Sequence, residues 1–197
     1  MKKVCIASSR EIGSRCTEWA KSNMPDGFEL GSIEDCEIFI STLYDTLIDK
    51  KFIESKERCV NFHPGILPDY RGAGAYSWSL INKEKHTGVS LHVIDHNIDS
   101  GPIIQIRKTL IYPSDTSQSL YERCMDLLFD MFKKNFNKIL KGTYKTKPNN
   151  GGNIYFRKDL EDAKDISHII KAFTFDNKES AYYYNKSGKK IYIEYGE

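Results

Sequence analysis

The sequence predicts an α/β fold with a mostly parallel sheet, followed by a small α+β extension. Short continuous apolar segments, which are typical of strands covered on both faces, alternate with segments whose apolar residues recur at helical spacing. A change of composition after Gly142 marks a boundary. We therefore expect a main domain over residues 1–142 and a small extension over residues 153–197.

The first half of the chain alternates between strand and helix signals. Residues 4–7 predict a buried strand, and apolar side chains at helical spacing predict a helix that ends before Pro25. Residues 37–42 predict a second buried strand. Residues 59–62 predict a third strand that ends before Pro64, because proline cannot donate to a β-ladder.

The second half continues the alternation and ends in a long helix. Residues 74–83 predict a helix, and alternating residues 88–94 and 103–111 predict two strands joined by a loop around Asp99. Asp115 is expected to be the N-cap of the long helix, because Gln118 follows three residues later as in a capping box. The apolar stripe of this helix comprises Leu120, Cys124, Leu127, Leu128 and Met131, and Gly142 is expected to end it.

The segment beyond Gly142 changes in character. It is rich in Lys, Asn and Gly, which predicts a linker over residues 145–152. Helical spacing predicts a helix over residues 166–173, and alternation predicts a strand over residues 190–195.

Composition narrows the class of function. There are 29 Lys and Arg against 27 Asp and Glu, interspersed, so we expect no nucleic-acid partner. Five scattered cysteines without a C-x-x-C pair indicate reduced thiols and a cytoplasmic location. The first apolar segment is too short for a signal peptide or a membrane span. Dispersed histidines and cysteines lack zinc-site spacing, so we expect no metal.

Three polar side chains stand at predicted strand ends. Asn61 and His63 are two residues apart, so in a strand both side chains point to the same face. Asp99 begins an Asp-Ser-Gly-Pro turn in which Gly101 permits close backbone approach. Either motif by itself would be interpreted as an ordinary surface turn. Together they supply an oxyanion donor, a proton carrier and an anion, which suits acyl transfer to an amine.

These motifs, with Asp69-Tyr70-Arg71-Gly72 between them and the strand from Gly88 to His92, resemble the folate-dependent formyltransferases. That family includes the glycinamide ribonucleotide, methionyl-tRNA and nucleotide-sugar N-formyltransferases. The resemblance is strongest over residues 36–140 and implies a Rossmann-like formyltransferase fold. The sequence departs from the family pattern in its first part. Only 60 residues precede Asn61, which leaves room for two strands and predicts a shortened N-terminal half.

The resemblance implies roles for particular residues. Asn61, His63 and Asp99 would be catalytic, with Asp99 favouring the protonated form of His63. N10-formyltetrahydrofolate would be the co-substrate, and its pterin would be held by Leu43, Tyr44, Asp45, Thr46, Ile48, Ile94 and Asp95. The alternative is that Leu43, Leu47 and Ile48 belong to the hydrophobic core, which fits each of them nearly as well. The acceptor would contact Tyr70, Arg71, Tyr76 and Trp78, although aromatic residues on a helix are more often core.

The acceptor is the harder question. About fifty residues follow the predicted linker, without strong positive charge, whereas the tRNA-specific relatives carry a substantial C-terminal domain. The predicted extension is similar to the small tail of sugar-modifying members, so we expect a nucleotide-linked amino sugar and a role in lipopolysaccharide O-antigen biosynthesis. The alternatives are another amine, on glycinamide ribonucleotide or methionyl-tRNA, and a folate- or nucleotide-binding module without turnover. Leu110 and Ile111 offer a surface for a homodimer.

Overall fold

A computed structural model describes residues 1–156, together with the backbone of residues 182–184 and 190–192. In chain order the elements are β1 (Lys2–Ala7), α1 (Glu11–Asn23), β2 (Phe28–Leu30), β3 (Ile38–Thr42), α2 (Lys50–Ser55), β4 (Arg58–His63), β5 (Tyr70–Gly72), α3 (Ala75–Ile81), β6 (His86–Val93), β7 (Ile103–Leu110), α4 (Ser117–Lys141), β8 (Asn153–Tyr155), β9 (Tyr182–Tyr184) and β10 (Lys190–Tyr192).

Six strands of the described residues form the central sheet, in the order β2-β1-β3-β4-β6-β7. Strands β1 to β4 pair in parallel, whereas β6 pairs antiparallel with β4 and with β7. The prediction of an α/β fold with a mostly parallel sheet is therefore confirmed. The site lies where the parallel part of the sheet meets its antiparallel part, at the carboxyl end of β4.

The sheet is covered on both faces, which explains its continuous apolar strands. On one face α1 and α4 pack against Val60 and Phe62 of β4, and Phe132 of α4 lies with its ring centroid 5.7 Å from that of Phe62. On the other face Phe39 of β3 packs at 5.2 Å from Phe52 of α2. Because side chains alternate along a strand, Asn61 and His63 share the face opposite to Phe62.

Most predicted elements are present. The predicted strands correspond to β1, β3, β4, β6 and β7, and the predicted helices to α1, α3 and α4. The expectation of two strands before Asn61 is wrong, because the short strand β2 pairs with β1 and makes three. The short elements α2 and β5 were not predicted either, since six and three residues carry no measurable periodicity.

The N-cap of α4 is Thr116 rather than Asp115. The Thr116 hydroxyl accepts a hydrogen bond from the Ser119 backbone N–H, and the Ser119 hydroxyl accepts one from the Thr116 N–H, which completes a capping box. Asp115 is buried one residue earlier and accepts hydrogen bonds from Arg123 at 2.6 and 3.0 Å. The carboxylate of Asp115 therefore forms an ion pair with Arg123, and Thr116 is the residue that caps the helix. Gly142 ends the helix in a left-handed conformation, as predicted.

The interpretation of residues 145–152 as a linker is also wrong. The backbone groups of Lys147 form two hydrogen bonds with those of Ile103, at 2.8 and 2.9 Å, and Asn149 is buried. Strand β8 then pairs in parallel with β5. A Lys- and Asn-rich composition thus describes a segment that runs along the domain and donates hydrogen bonds to its loops.

The C-terminal part is described in two short stretches. Strands β9 and β10 pair antiparallel, which confirms the predicted strand for residues 190–192. The predicted helix over residues 166–173 lies outside the described residues. The division into domains 1–142 and 153–197 stays a prediction.

All five cysteines are free and buried, as expected of reduced thiols. Burial raises the pKa of the Cys16 thiol to about 12. Within the described ranges, no helix combines enough length with enough apolar character to cross a bilayer.

The corrected N-cap gives a test of stability. Replacing Thr116 by Ala removes the acceptor of the Ser119 N–H and should lower the free energy of unfolding by about 1 kcal/mol. Urea denaturation of the purified protein measures this change. The exposed Thr143 provides the matched control, since Thr143→Ala should leave the midpoint almost unchanged. Equal midpoints for Thr116→Ala and wild type would contradict the assigned cap.

Candidate active site

Three polar side chains meet around the carboxylate of Asp99. Its Oδ2 lies 3.3 Å from Nδ1 of His63, and its Oδ1 lies 3.3 Å from Nε2 of His92. Oδ1 also accepts a hydrogen bond of 3.2 Å from the Asn61 amide. The structure thus brings Asn61 and His63 of β4 together with Asp99, which lies 38 residues after Asn61 in the sequence.

The sheet positions the two histidines and the amide. In the antiparallel pairing of β4 with β6, Asn61 lies opposite His92. His63 is the last residue of β4, and its side chain is 5% exposed. The three side chains therefore project from neighbouring strands, a rigid base that fixes their spacing.

Asp99 enters from the loop between β6 and β7 in a constrained turn. Its φ of 45° lies in the left-handed region that non-glycine residues rarely adopt. A Cβ at Gly101 would collide with the carbonyl oxygen of Val93, so glycine is required there. The backbone N–H of Gly72 in β5 donates to Oδ2 of Asp99 at 2.9 Å. Strand β5 and the end of β6 together hold this turn against the sheet.

The Asn61 amide has a defined orientation. The Ser41 hydroxyl of β3 donates to Oδ1 of Asn61 at 2.7 Å. The amide nitrogen faces Oδ1 of Asp99 and, at 3.1 Å, Nε2 of His92. A reversed amide would set its oxygen against the carboxylate, so the nitrogen must point into the cluster.

Both ring nitrogens of His63 face acceptors. Nε2 lies 2.6 Å from the carbonyl oxygen of Tyr70, and Nδ1 faces the Asp99 carboxylate. A neutral imidazole has one N–H donor, whereas the imidazolium has two. The ring of His63 is therefore held between the Tyr70 carbonyl oxygen and the Asp99 carboxylate. His92 directs Nδ1 to the carbonyl oxygen of Val93 at 2.8 Å, so its Nε2 is left to face Asn61 and Asp99.

The cluster keeps Asp99 ionised. Burial by itself would raise the pKa of this carboxyl. The positive charge of His63, the hydrogen bond and charge of His92 and the Gly72 N–H outweigh burial and hold the pKa of Asp99 well below its ordinary range. An anion is thus maintained beside two imidazoles at neutral pH.

A cavity of about 880 Å³ opens beside the cluster. Asn61, His63, His92 and Asp99 form part of its wall. All of the residues predicted to hold a pterin line it as well, namely Leu43, Tyr44, Asp45, Thr46, Ile48, Ile94 and Asp95. A cavity of this size is within the range that binds small organic molecules.

The residues predicted to contact the acceptor divide into two groups. Tyr76 lines the cavity, whereas Tyr70, Arg71 and Trp78 are absent from its wall. Tyr70 stacks on Tyr155, with ring centroids 5.1 Å apart, and its hydroxyl donates to Glu84 at 2.7 Å.

The other two side chains outside the cavity wall also serve the fold. Arg71 donates to the carbonyl oxygen of Gly152 at 3.1 Å, and Trp78 donates to that of Phe156 at 3.3 Å. These three side chains bind the segment around β8 to the domain, and their predicted contact with the acceptor stays a prediction.

Several residues of the wall were not predicted. His92 belongs to the cluster itself, and Arg10, Gln118, Tyr121 and Phe156 line the cavity. Arg10, Tyr121 and Phe156 lie outside every motif of the sequence, whereas Gln118 and His92 belong to patterns that predict a helix start and a strand. For His92 the alternation of β6 gives the face of the strand, but the register with Asn61 becomes known only from the paired strands.

At the mouth of the cavity, Arg10 forms an exposed ion pair with Asp45 at 2.9 Å. Arg10 is the N-cap residue of α1, directly after the loop that follows β1. Among the described lining residues it is the one Lys or Arg side chain. Among the described residues, no three His, Cys, Asp or Glu side chains are placed so that they could hold a metal ion. The expectation of no metal stays a prediction.

Fold and site together define an α/β protein with an amide, two imidazoles and a carboxylate on the wall of a cavity at the end of a parallel strand. Residues 25–133 match the family model for formyl transferases. The chain belongs to this formyl transferase family.

Individual relatives agree with this assignment. The chain is 34% identical over 148 residues to dTDP-4-amino-4,6-dideoxyglucose formyltransferase of Mycobacterium tuberculosis, covering 69% of this chain and 63% of that protein. It is 34% identical over 120 residues to methionyl-tRNA formyltransferase of Thermodesulfovibrio yellowstonii, covering 60% of this chain and 39% of that protein. The matched region thus spans less than two thirds of these curated relatives.

A solved structure shares the fold along almost the whole chain. The N-formyltransferase of Helicobacter canadensis, in complex with folinic acid and dTDP-3-aminofucose, superimposes with a TM-score of 0.79 and 22% identity. The match covers 99% of this chain and 91% of that one. It supports the predicted formyltransferase fold.

The lowered pKa of Asp99 predicts a pH dependence of stability. A folded-state pKa below the ordinary value of 3.8 stabilises the fold above that pH, and the contribution is lost as the pH falls toward the folded-state value. Acidification below about pH 4 should therefore lower the free energy of unfolding more steeply in wild type than in Asp99→Asn. Urea denaturation between neutral and acid pH measures both slopes. Parallel curves for the two proteins would contradict the assignment.

Proposed function

We propose that the protein is an N-formyltransferase that moves the formyl group of N10-formyltetrahydrofolate to the amine of a nucleotide-linked amino sugar. The observation that carries the proposal is the convergence of Asn61, His63 and Asp99 on the wall of one cavity. Membership of the formyl transferase family supplies the reaction class. The co-substrate supplies an activated formyl carbon and a nitrogen that can leave.

Asn61 supplies a donor for the formyl oxygen, which gains negative charge as the amine attacks. Ser41 fixes the amide from the far side, so its N–H groups point into the cluster. A charged oxygen is a stronger hydrogen-bond acceptor than an imidazole nitrogen. The Asn61 N–H that faces His92 can therefore turn to the formyl oxygen at little cost in reorganisation.

His63 and Asp99 handle the proton. The attacking amine becomes acidic once its nitrogen bonds to the formyl carbon, and its proton must reach the departing nitrogen of the folate. His63, or a water held by Asp99, relays that proton. The Asp99 carboxylate lies 3.3 Å from Nδ1 of His63 and orients the imidazole for this relay.

Different residues of the cavity wall are proposed to contact the two substrates. Residues 43–48 with Ile94 and Asp95 are proposed to hold the pterin. The wall residues Arg10, Tyr76, Gln118, Tyr121 and Phe156 are proposed to contact the acceptor. Arg10 can pair with a diphosphate, and the aromatic rings suit a sugar or a base.

The choice of acceptor rests on the matched lengths and the fold. The match covers more of the mycobacterial sugar enzyme than of the methionyl-tRNA enzyme, 63% against 39%. The structure bound to a nucleotide-linked amino sugar matches almost the whole of both chains. Methionyl-tRNA, glycinamide ribonucleotide and a binding module without turnover remain the alternatives. A cytoplasmic location, a homodimer and a role in O-antigen biosynthesis stay parts of this proposal.

Replacing catalytic side chains should slow turnover while leaving the fold intact. Loss of one oxyanion donor in Asn61→Ala should lower kcat by about 10²- to 10³-fold, and loss of a proton carrier in His63→Ala by about 10²- to 10⁴-fold. Tetrahydrofolate formation, followed by its absorbance, measures the rate. The exposed Asn137 and His86 give matched controls, since Asn137→Ala and His86→Ala should keep the wild-type rate. Wild-type rates in both cavity variants would exclude these roles.

A panel of acceptors separates the candidate functions. We expect tetrahydrofolate to form with a nucleotide-linked amino sugar and not with glycinamide ribonucleotide or methionyl-tRNA. Mass spectrometry of the acceptor should show the mass of one added formyl group in place of hydrogen. Turnover with either of the other amines would reassign the acceptor, and calorimetric binding of folate and nucleotide sugar without any product would favour the module.

A further inference from the structure

The Asp99 turn depends on a residue that lies far away in the sequence. Asn149 follows the end of α4 and is 8% exposed. Its amide nitrogen donates to the carbonyl oxygen of Asp99 at 2.9 Å and to that of Gly101 at 2.8 Å. Both hydrogens of the amide are thus used on the backbone of one turn.

The orientation of this amide is unambiguous. A reversed Asn149 would place its oxygen against two carbonyl oxygens, and every contact would become repulsive. The amide keeps its orientation although its own oxygen meets no donor among the described residues. The hydrogen bonds to the Asp99 turn therefore decide how this side chain is placed.

Asn149 is itself held on the sheet. The two backbone hydrogen bonds between Lys147 and Ile103 attach its segment to the start of β7. Ile103 follows Asp99 by four residues and comes directly after the turn, so the turn is fixed at its end by the strand and along its backbone by Asn149. The segment that carries Asn149 thus bridges the catalytic loop and the edge strand.

The turn needs this support because Asp99 adopts a left-handed φ of 45°. The contacts of its carboxylate to His63, His92 and Asn61 measure 3.2 to 3.3 Å, near the upper limit for hydrogen bonds. A small displacement of the Asp99 backbone would consequently break all of them together.

We propose that Asn149 is a positioning residue for formyl transfer, which holds the Asp99 carboxylate between His63, His92 and Asn61. The inference rests on the proposed function for its effect on rate. Its effect on the histidines is independent of any substrate. Asn149 is not itself one of the residues that line the cavity, and it acts on the wall through the backbone of the Asp99 turn.

The first test measures rates. Displacing a catalytic group by a fraction of an ångström to 1 Å should lower kcat of Asn149→Asp and Asn149→Ala by about 10- to 100-fold. The KM values should change by less than about threefold, because Asn149 is not one of the residues that line the cavity. The exposed neighbour Asn150 gives the control, and Asn150→Asp should keep the wild-type kcat. A kcat within twofold of wild type in both Asn149 variants would overturn the proposal.

The second test reads the cluster directly and needs no acceptor. The protein has five histidines, so the ring signals of His63 and His92 can be assigned by ¹⁵N NMR with single His→Gln variants. In Asn149→Asp these two ring signals, and their titration with pH, should move toward those of Asp99→Asn. The groups that face Asp99 are His63 and Asn61 from β4, His92 from β6, and the Gly72 N–H from β5.

The outcomes separate the two claims. If the ring signals shift in Asn149→Asp but the wild-type protein shows no formyl transfer, the role of Asn149 in placing Asp99 is upheld and the proposed function is refuted. Wild-type ring signals in Asn149→Asp, with or without a lower melting temperature, would show that the residue only stabilises the fold. If Asn149→Ala fails to fold, Asn149→Ser, which keeps one donor, decides between these results by the same ring signals.

Discussion

The buried carboxylate of Asp99 is the centre around which the site is built. It receives contacts from two strands of the central sheet, through His63, His92 and Asn61, and from β5 through the Gly72 N–H. Burying a charge is costly unless partners compensate it. The cluster meets this requirement with hydrogen bonds and positive charge, and in return the anion fixes the direction of each partner. Removing one partner would leave the charge of Asp99 with fewer compensating contacts, so the groups depend on one another.

The sheet explains why these groups can meet. Parallel pairing of β3 with β4 places Ser41 beside Asn61, and antiparallel pairing of β4 with β6 places His92 beside the same residue. The amide therefore stands between a hydroxyl on one neighbouring strand and an imidazole on the other. Because both neighbours belong to the core sheet, the amide is oriented before any substrate arrives, which is the condition for effective electrostatic catalysis.

The sequence predicted what periodicity and turn chemistry encode. Alternating or continuous apolar residues located the longer strands, and the spacing of Asn61, His63 and Asp99 located the cluster. Elements of three to six residues, such as β2, β5 and α2, were missed because so few residues show no period. His92 was missed because strand register is a property of two strands. The contacts of Tyr70, Arg71 and Trp78 with the segment around β8 were not predicted, since composition does not show which distant segments pair. Asn149 appeared in a linker-like composition, which is equally typical of a segment that donates hydrogen bonds to loops.

Strand β5 contacts both members of the His63–Asp99 pair. The carbonyl oxygen of Tyr70 meets Nε2 of His63, and two residues later the N–H of Gly72 meets Asp99. A strand advances about 3.3 Å per residue, so this short element sets the distance between the two backbone groups that contact the imidazole and the carboxylate. A substitution that changes the register of β5 would therefore disturb both contacts at once.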